Sequence, residues 1–240
     1  MATQGAAFLS TEWSMVLEAR EDSLRRRHAL ERLCANYWLP LYAYLRRRGH
    51  APADAEDLTQ GFLCHVLESD IFERSDPEKG RFRGFLVGAL KRYLGSHFEK
   101  ENAIKRGGGN VRLVDWSAVN AEREFMPFAD SPLDASEVYE SSWALALLGR
   151  SLRRLEEEQD TPERSRRFAL LKIFLTSTPD HGDYDRVAGE LGVARQNVAM
   201  WVHRLSARYA ELVRIEVAAT VRDPADVKDE MAHLLRVLRR

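Results

Sequence analysis

Apolar residues in this chain recur three and four positions apart almost from end to end, and no stretch alternates as a half-buried strand would. That periodicity predicts an all-α protein, with glycine and proline marking the joints. Its length of 240 residues allows one or two helical domains with real cores. Helical spacing runs from Trp13 to Gly49, with Pro40 either kinking one helix or opening another. A second pattern follows Pro52 and reaches about Leu67. After a loop over residues 68–81, a third runs from Phe82 to about Lys105 and stops at Gly107, Gly108 and Gly109. Residues 107–137 carry glycines, prolines and no sustained period, which predicts a flexible linker whose Trp116, Phe125 and Phe128 could dock on a partner or on the domains.

The expected organisation is therefore two helical domains, residues 11–106 and 138–215, joined by that linker. A C-terminal extension follows over residues 216–240. In it Asp223 is placed to cap a helix and Pro224 to open it, while Val227, Met231, Leu234, Leu235 and Leu238 form an apolar stripe. Packing back on the last domain is the general way to cover that stripe; a regulator or a second copy could cover it instead.

A net charge of -1 conceals strong local asymmetry. Residues 54–78 hold eight carboxylates against one Arg, a face that would repel DNA and attract a basic protein. The same acids at 54 to 57 also suit the positive end of a helix dipole. Residues 81–106 reverse the sign, with seven Lys or Arg against two Glu, and Phe82, Phe85, Tyr93 and Phe98 interleave with the cations. Cations hold phosphates and aromatic faces stack on unpaired bases, so this mixture suits single-stranded nucleic acid. Aromatics at helical spacing serve a core equally well.

The clearest local pattern is YDRVAGELGVARQNVAMWVHRLSARY, residues 184–209. Val187, Ala188 and Leu191 would face inward on one helix, Gly192 would make the turn, and Val198, Val202 and Leu205 would line a second helix. Arg195, Gln196, Asn197, His203 and Arg204 then fall on the polar side, all able to read base edges or hold phosphates. A core-forming helical hairpin with a solvated face would show the same spacing.

Taken in order, the acidic helix, the basic aromatic helix, the linker and the C-terminal helix-turn-helix resemble a bacterial sigma factor of the extracytoplasmic-function type, over about residues 11–215. DAEDLTQGFL is similar to the segment of that family that docks on the β′ clamp of RNA polymerase. FRGFLVGALKRYLGSHFEK is similar to the part that opens the minus-ten element, and YDRVAGELGVARQNVAMWVHRL to the part that reads the minus-thirty-five element. The resemblance implies a non-catalytic subunit that binds core RNA polymerase at the β′ clamp and β flap and selects promoter DNA. Asp54, Glu56, Asp57 and Gln60 would then touch polymerase. Arg83, Lys91, Arg92 and His97 would lie by the melted strand, with residues 75–82 holding a flipped base. Arg195, Gln196, Asn197, His203 and Arg204 would enter the upstream major groove.

Three positions depart from the family pattern: Gly61 where an acid is frequent, Phe85 where a tryptophan is, and Arg92 where an asparagine is. A phosphate on Thr59 would supply about -1.5 to -2 charges beside Gly61, which points to control by a serine/threonine kinase; an anti-sigma protein is the other regulator the resemblance allows. The competing reading is a one-component helix-turn-helix regulator that never touches polymerase.

Enzyme chemistry finds no motif. The seven His include no HExxH pair, the three glycines follow a helix rather than a strand, and no GxSxG occurs, so no catalytic residue, metal or cofactor is expected. Cys34 and Cys64 form no CxxC pair and suit buried thiols in a reducing compartment. No apolar run nears the ~20 residues of a membrane span and no signal-peptide pattern opens the chain, so a cytoplasmic protein is expected.

Overall fold

The computed structural model describes residues 23–68, 81–103, 118–221 and 223–239. Every regular element among them is helical: α1 (Ser23–Arg47), α2 (Pro52–Glu68), α3 (Phe82–Ala103), α4 (Ala118–Ala129), α5 (Ala135–Glu157), α6 (Pro162–Leu171), α7 (Ile173–Thr176), α8 (Asp183–Leu191), α9 (Arg195–Thr220), a 3-10 turn (Pro224–Asp226) and α10 (Val227–Val237). The chain divides into two units, Met1–Ala146 with Val217–Arg240, and Leu147–Glu216. The division falls inside α5 and α9 rather than within residues 107–137.

In the first unit α1 continues through Pro40. An interior proline costs about 3 kcal/mol. Here the surrounding turns bury Tyr37, Trp38, Leu41, Tyr42 and Leu45 almost completely, and full burial of each such side chain contributes about 1.5 to 3 kcal/mol. Trp38 stacks on Tyr42 at 5.1 Å between ring centroids, and Tyr37 meets Phe82 of α3 at 5.5 Å. The helix stops where Gly49 adopts φ +92°. His50 N–H donates to the Leu45 carbonyl and Gly49 N–H to that of Arg46, so two terminal acceptors are satisfied before α2 begins.

Over residues 118–129 the structure has a helix where the sequence suggested a linker. Pro127 sits within the end of α4 and breaks the pattern on which a helix is recognised. Tertiary contacts compensate: Ala121, Phe125 and Phe128 are buried, and α4 packs on α1 and α2. Arg46 clamps Glu122 with two hydrogen bonds of 2.9 and 2.7 Å, and Tyr42 Oη donates to the same carboxylate at 2.6 Å. Arg47 donates to the carbonyls of Ala129, Ser131 and Leu133, so its guanidinium closes the exit of α4. Trp116 and residues 107–117 lie outside the described residues.

The extension also differs from expectation. Asp223 caps the turn by accepting from Ala225 N–H at 2.8 Å, as its position suggests. The buried face of α10, however, is Val227, Glu230, Leu234 and Val237, while Leu235 and Leu238 are exposed. The helix belongs to the first unit and not to the second. Its orientation follows Glu230, which is drawn inward by the guanidiniums of Arg81 and Arg83.

The second unit is a small cluster built from the end of α5, α6, α7, α8 and most of α9. Leu171, Val187, Ala188, Val198 and Val202 form one buried group; Leu155, Phe168 and Leu212 form another. Thr161 caps α6 by accepting from Arg164 N–H, with Pro162 in the first turn.

Arg46 holds the Glu122 carboxyl below the usual carboxylate range, with Tyr42 adding to the effect. A depressed folded-state value contributes stability that is complete above the unfolded value and is lost as pH falls through the folded one. Urea unfolding of the native chain should therefore show a loss of stability on acidification below about pH 4. Glu122→Gln should be less stable than the native chain at pH 7 and lose less on acidification; equal slopes would contradict this role.

Candidate nucleic-acid interface

The helix pair α8 and α9 is joined at Gly192, which takes φ +66°. Val193 N–H donates to the Ala188 carbonyl at 3.0 Å and Gly192 N–H to that of Gly189 at 3.3 Å, closing α8 as Gly49 closes α1. A side chain with a Cβ is strained at such a φ, which is why glycine occupies the turn. Val187 and Ala188 from α8 pack on Val198 and Val202 from α9. The opposite side of α9 is thereby fixed outward, at 100° per residue, and it carries Gln196, Met200 and His203 with Asn197 and Arg204 on its flanks, while Arg195, the first residue of the helix, falls on the side of α8. All six are exposed. Arg195 lies 3.7 Å from the Asp185 carboxylate and over the Tyr184 ring at 5.9 Å, so it is steered but remains 60% exposed.

Beside this face, α6 contributes Arg164, Arg166 and Arg167, which the sequence reading did not single out although the run RSRR was visible. Arg167 stacks over Trp201 at 4.5 Å. An open cleft of about 360 Å³ lies there, lined among others by Arg164, Arg167, Trp201, Arg204 and Arg208 over an apolar floor. Arg208 is committed, making a two-pronged hydrogen bond to Glu158 at 2.9 and 2.6 Å that holds this carboxyl below its usual range.

The residues expected at the melted strand are not brought together. Lys91 and Arg92 are exposed on α3. Arg83 is not available there: 4% exposed, it donates from Nε to Glu140 at 2.7 Å, contacts Glu230 and stacks over Trp143 at 4.5 Å. Glu140 and Trp143 of α5 and Glu230 of α10 enclose it, which its place in a basic run did not reveal. The side chain of His97 and residues 75–80 lie outside the described residues. Of the interleaved aromatics, Phe82 is fully buried, and Tyr93 packs on Phe62 and His65 at ring distances of 5.6 and 5.3 Å, so these two serve the core.

On α2, Asp54 and Asp57 are exposed, while Glu56 and Gln60 are half-buried and hydrogen-bonded to each other at 3.3 Å. Gly61 is placed by packing: a Cβ there would lie 2.7 Å from Tyr93 Oη, in a ring wedged between Phe62 and His65. Thr59 corrects the surface position assumed for it. It is fully buried, and its hydroxyl donates to the Ala55 carbonyl at 2.6 Å. Leu58, Phe62 and Leu63 are buried around the same turns, which turns the acidic helix so that Thr59 points inward with them.

Among the described residues no group of three His, Cys, Asp or Glu is placed to hold a metal ion, and no helix is long and apolar enough to cross a membrane. Burial raises the Cys34 thiol to about 12, so it stays protonated and inert. No protein-family model matches the chain, and neither a curated protein nor a solved structure is found to resemble it.

The setting of Thr59 yields a direct expectation. Thr59→Val, which loses one hydrogen bond at nearly constant volume, should cost about 1 kcal/mol in urea unfolding. Thr59→Glu should cost about 3 kcal/mol or more because it forces an unpaired carboxylate into the core. A native chain that accepted phosphate readily at Thr59, with Thr59→Glu as stable as Thr59→Val, would contradict this placement.

Proposed function

We propose that the chain is a promoter-directing subunit of RNA polymerase, of the sigma type, whose second unit binds duplex DNA through α9. The observation that carries this reading is the pair α8 and α9. A glycine turn and a shared apolar seam aim Gln196, Asn197, Met200, His203 and Arg204 outward from a helix long enough to lie in a major groove, with Arg195 exposed at its start. Their chemistry suits the reading of a duplex, since Arg195 and Arg204 pair with phosphates or guanine edges, Gln196 and Asn197 with adenine edges, and Met200 offers an apolar contact to thymine methyls. Arg164 and Arg166 on α6 extend the cationic surface along a phosphate track.

The docking half of the reading rests on α2. Asp54 and Asp57 are solvent-exposed near the start of that helix and free to meet a basic surface, for which the β′ clamp of core polymerase is the proposed partner. Glu56 and Gln60 flank them. The β flap is the proposed partner of the second unit. Phosphorylation of Thr59 forms no part of this proposal, because its hydroxyl is turned into the core.

Run-off transcription with purified core polymerase tests the whole reading: the chain should direct initiation from a subset of promoter fragments that core polymerase alone ignores. Arg195→Ala and Arg204→Ala should each weaken duplex binding across sequences and lower the slope of log K against log salt by about 1. Gln196→Ala should relax sequence preference more than it lowers affinity. Duplex binding without initiation, and without capture of core polymerase, would replace this reading with a one-component helix-turn-helix regulator.

A further inference from the structure

The start of α3 carries two arginines whose charge is answered from the other end of the chain. Glu230, on α10, is fully buried; its carboxylate lies 2.7 Å from Arg81 Nε and in contact with Arg83 Nη1. Its two oxygens each meet one of these guanidiniums. Arg83 is independently fixed. Its Nε donates to Glu140 at 2.7 Å, its guanidinium lies over Trp143 at 4.5 Å, and its backbone carbonyl accepts from Tyr139 Oη at 3.1 Å. Arg81 is 39% exposed. Withdrawing Glu230 would leave, among the described residues, two guanidiniums against the one carboxylate of Glu140, beside an indole at the positive end of a 22-residue helix.

A site of this kind takes an anion with several strong acceptors. A phosphodiester presents oxygens that two guanidiniums can grip in aligned pairs, whereas a fully buried carboxylate carries a large desolvation cost. The helix that delivers Glu230 is also lightly held: α10 has 11 residues and buries only Val227, Leu234 and Val237 beside the acid. His233 anchors it through Glu140 at 2.9 Å, yet burial lowers the affinity of that imidazole for a proton, so it adds little charge.

We propose that Arg81 and Arg83 form a binding site for a backbone phosphate of single-stranded nucleic acid, and that Glu230 occupies it in the free chain as a displaceable mask. This rests on the promoter-directing reading only for the identity of the ligand. Lys91 and Arg92, exposed further along α3, would hold the next phosphates once α10 has moved. The mask makes strand binding conditional: nucleic acid has to displace the C-terminal helix before the start of α3 can engage.

The test uses the full chain, native and Glu230→Gln, with a fluorescent single-stranded oligonucleotide titrated at several salt concentrations. Glu230→Gln should bind at least tenfold more tightly, with a salt dependence steeper by about 0.7 for each additional phosphate neutralised. In the native chain a saturating oligonucleotide should accelerate amide exchange in residues 227–237, and this readout decides the matter even if Glu230→Gln fails to fold. Equal affinity and slope in the two folded proteins would overturn the mask, as would bound strand with unchanged exchange in α10, or no strand binding by either protein. Duplex binding through α9, measured on the same proteins, separates the two ideas. If it persists while the mask fails, only the mask is lost; if duplex binding and run-off initiation are both absent, the promoter-directing reading falls.

Discussion

Arg83 is the point on which the first unit turns. One guanidinium, almost out of solvent, touches Glu140 and Trp143 on α5 and Glu230 on α10, while its own backbone carries α3. A buried charge is tolerated only when it is paired, and that requirement brings two carboxylates to it from distant parts of the sequence. The consequence reaches further than the ion pairs. Because Glu230 must point inward, α10 is rotated to expose Leu235 and Leu238 and to bury Val237, and the C-terminal extension is drawn into the first unit. Removing one partner of such a cluster costs about 3 to 5 kcal/mol, whereas replacing all of them by apolar groups of similar shape is often neutral, so these charges are poor candidates for simple stabilisers.

The same unit shows how arginines organise a helical fold at its edges. Arg46 and Arg47, adjacent on α1, hold Glu122 and three carbonyls at the exit of α4. Hydrogen bonds to charged groups contribute about 1.5 to 3 kcal/mol each, and the low end applies to these partly exposed ones. Together with the burial of Phe125 and Phe128 they outweigh the disadvantage of Pro127 in a short helix.

The second unit turns several cations outward, although Arg186 and Arg208 are paired with acids. Arg195, Arg204, Arg164 and Arg166 are exposed, and Arg167 is spread on Trp201 rather than neutralised by an acid. Electrostatics thus divides between the units. In the first, Arg81 and Arg83 at the start of α3 are answered within the fold while Lys91 and Arg92 stay exposed; in the second, a cationic and amide-bearing face is presented to solvent. The outward face supports the proposed duplex partner of α9, and the pairing at the start of α3 is the basis of the proposed mask.

Neighbours along the chain settle a good part of this protein without reference to anything distant. The helical class follows from apolar spacing, the turn at Gly192 from a single residue that tolerates φ +66°, and the cap at Asp223 from a carboxylate two residues before an unpaired N–H. The outward face of α9 was legible for the same reason, since Val198 and Val202 leave only one side for Gln196 and His203. Tertiary packing decided which way each remaining helix faces when its apolar stripe is ambiguous. Thr59 turns inward because Leu58 and Phe62 beside it are buried, Gly61 is required by a tyrosine 32 residues away, and Arg83 and Glu230 meet across 147 positions. Local spacing sets conformation because backbone hydrogen bonds close within four residues; burial of a charge depends on a partner that no local window contains.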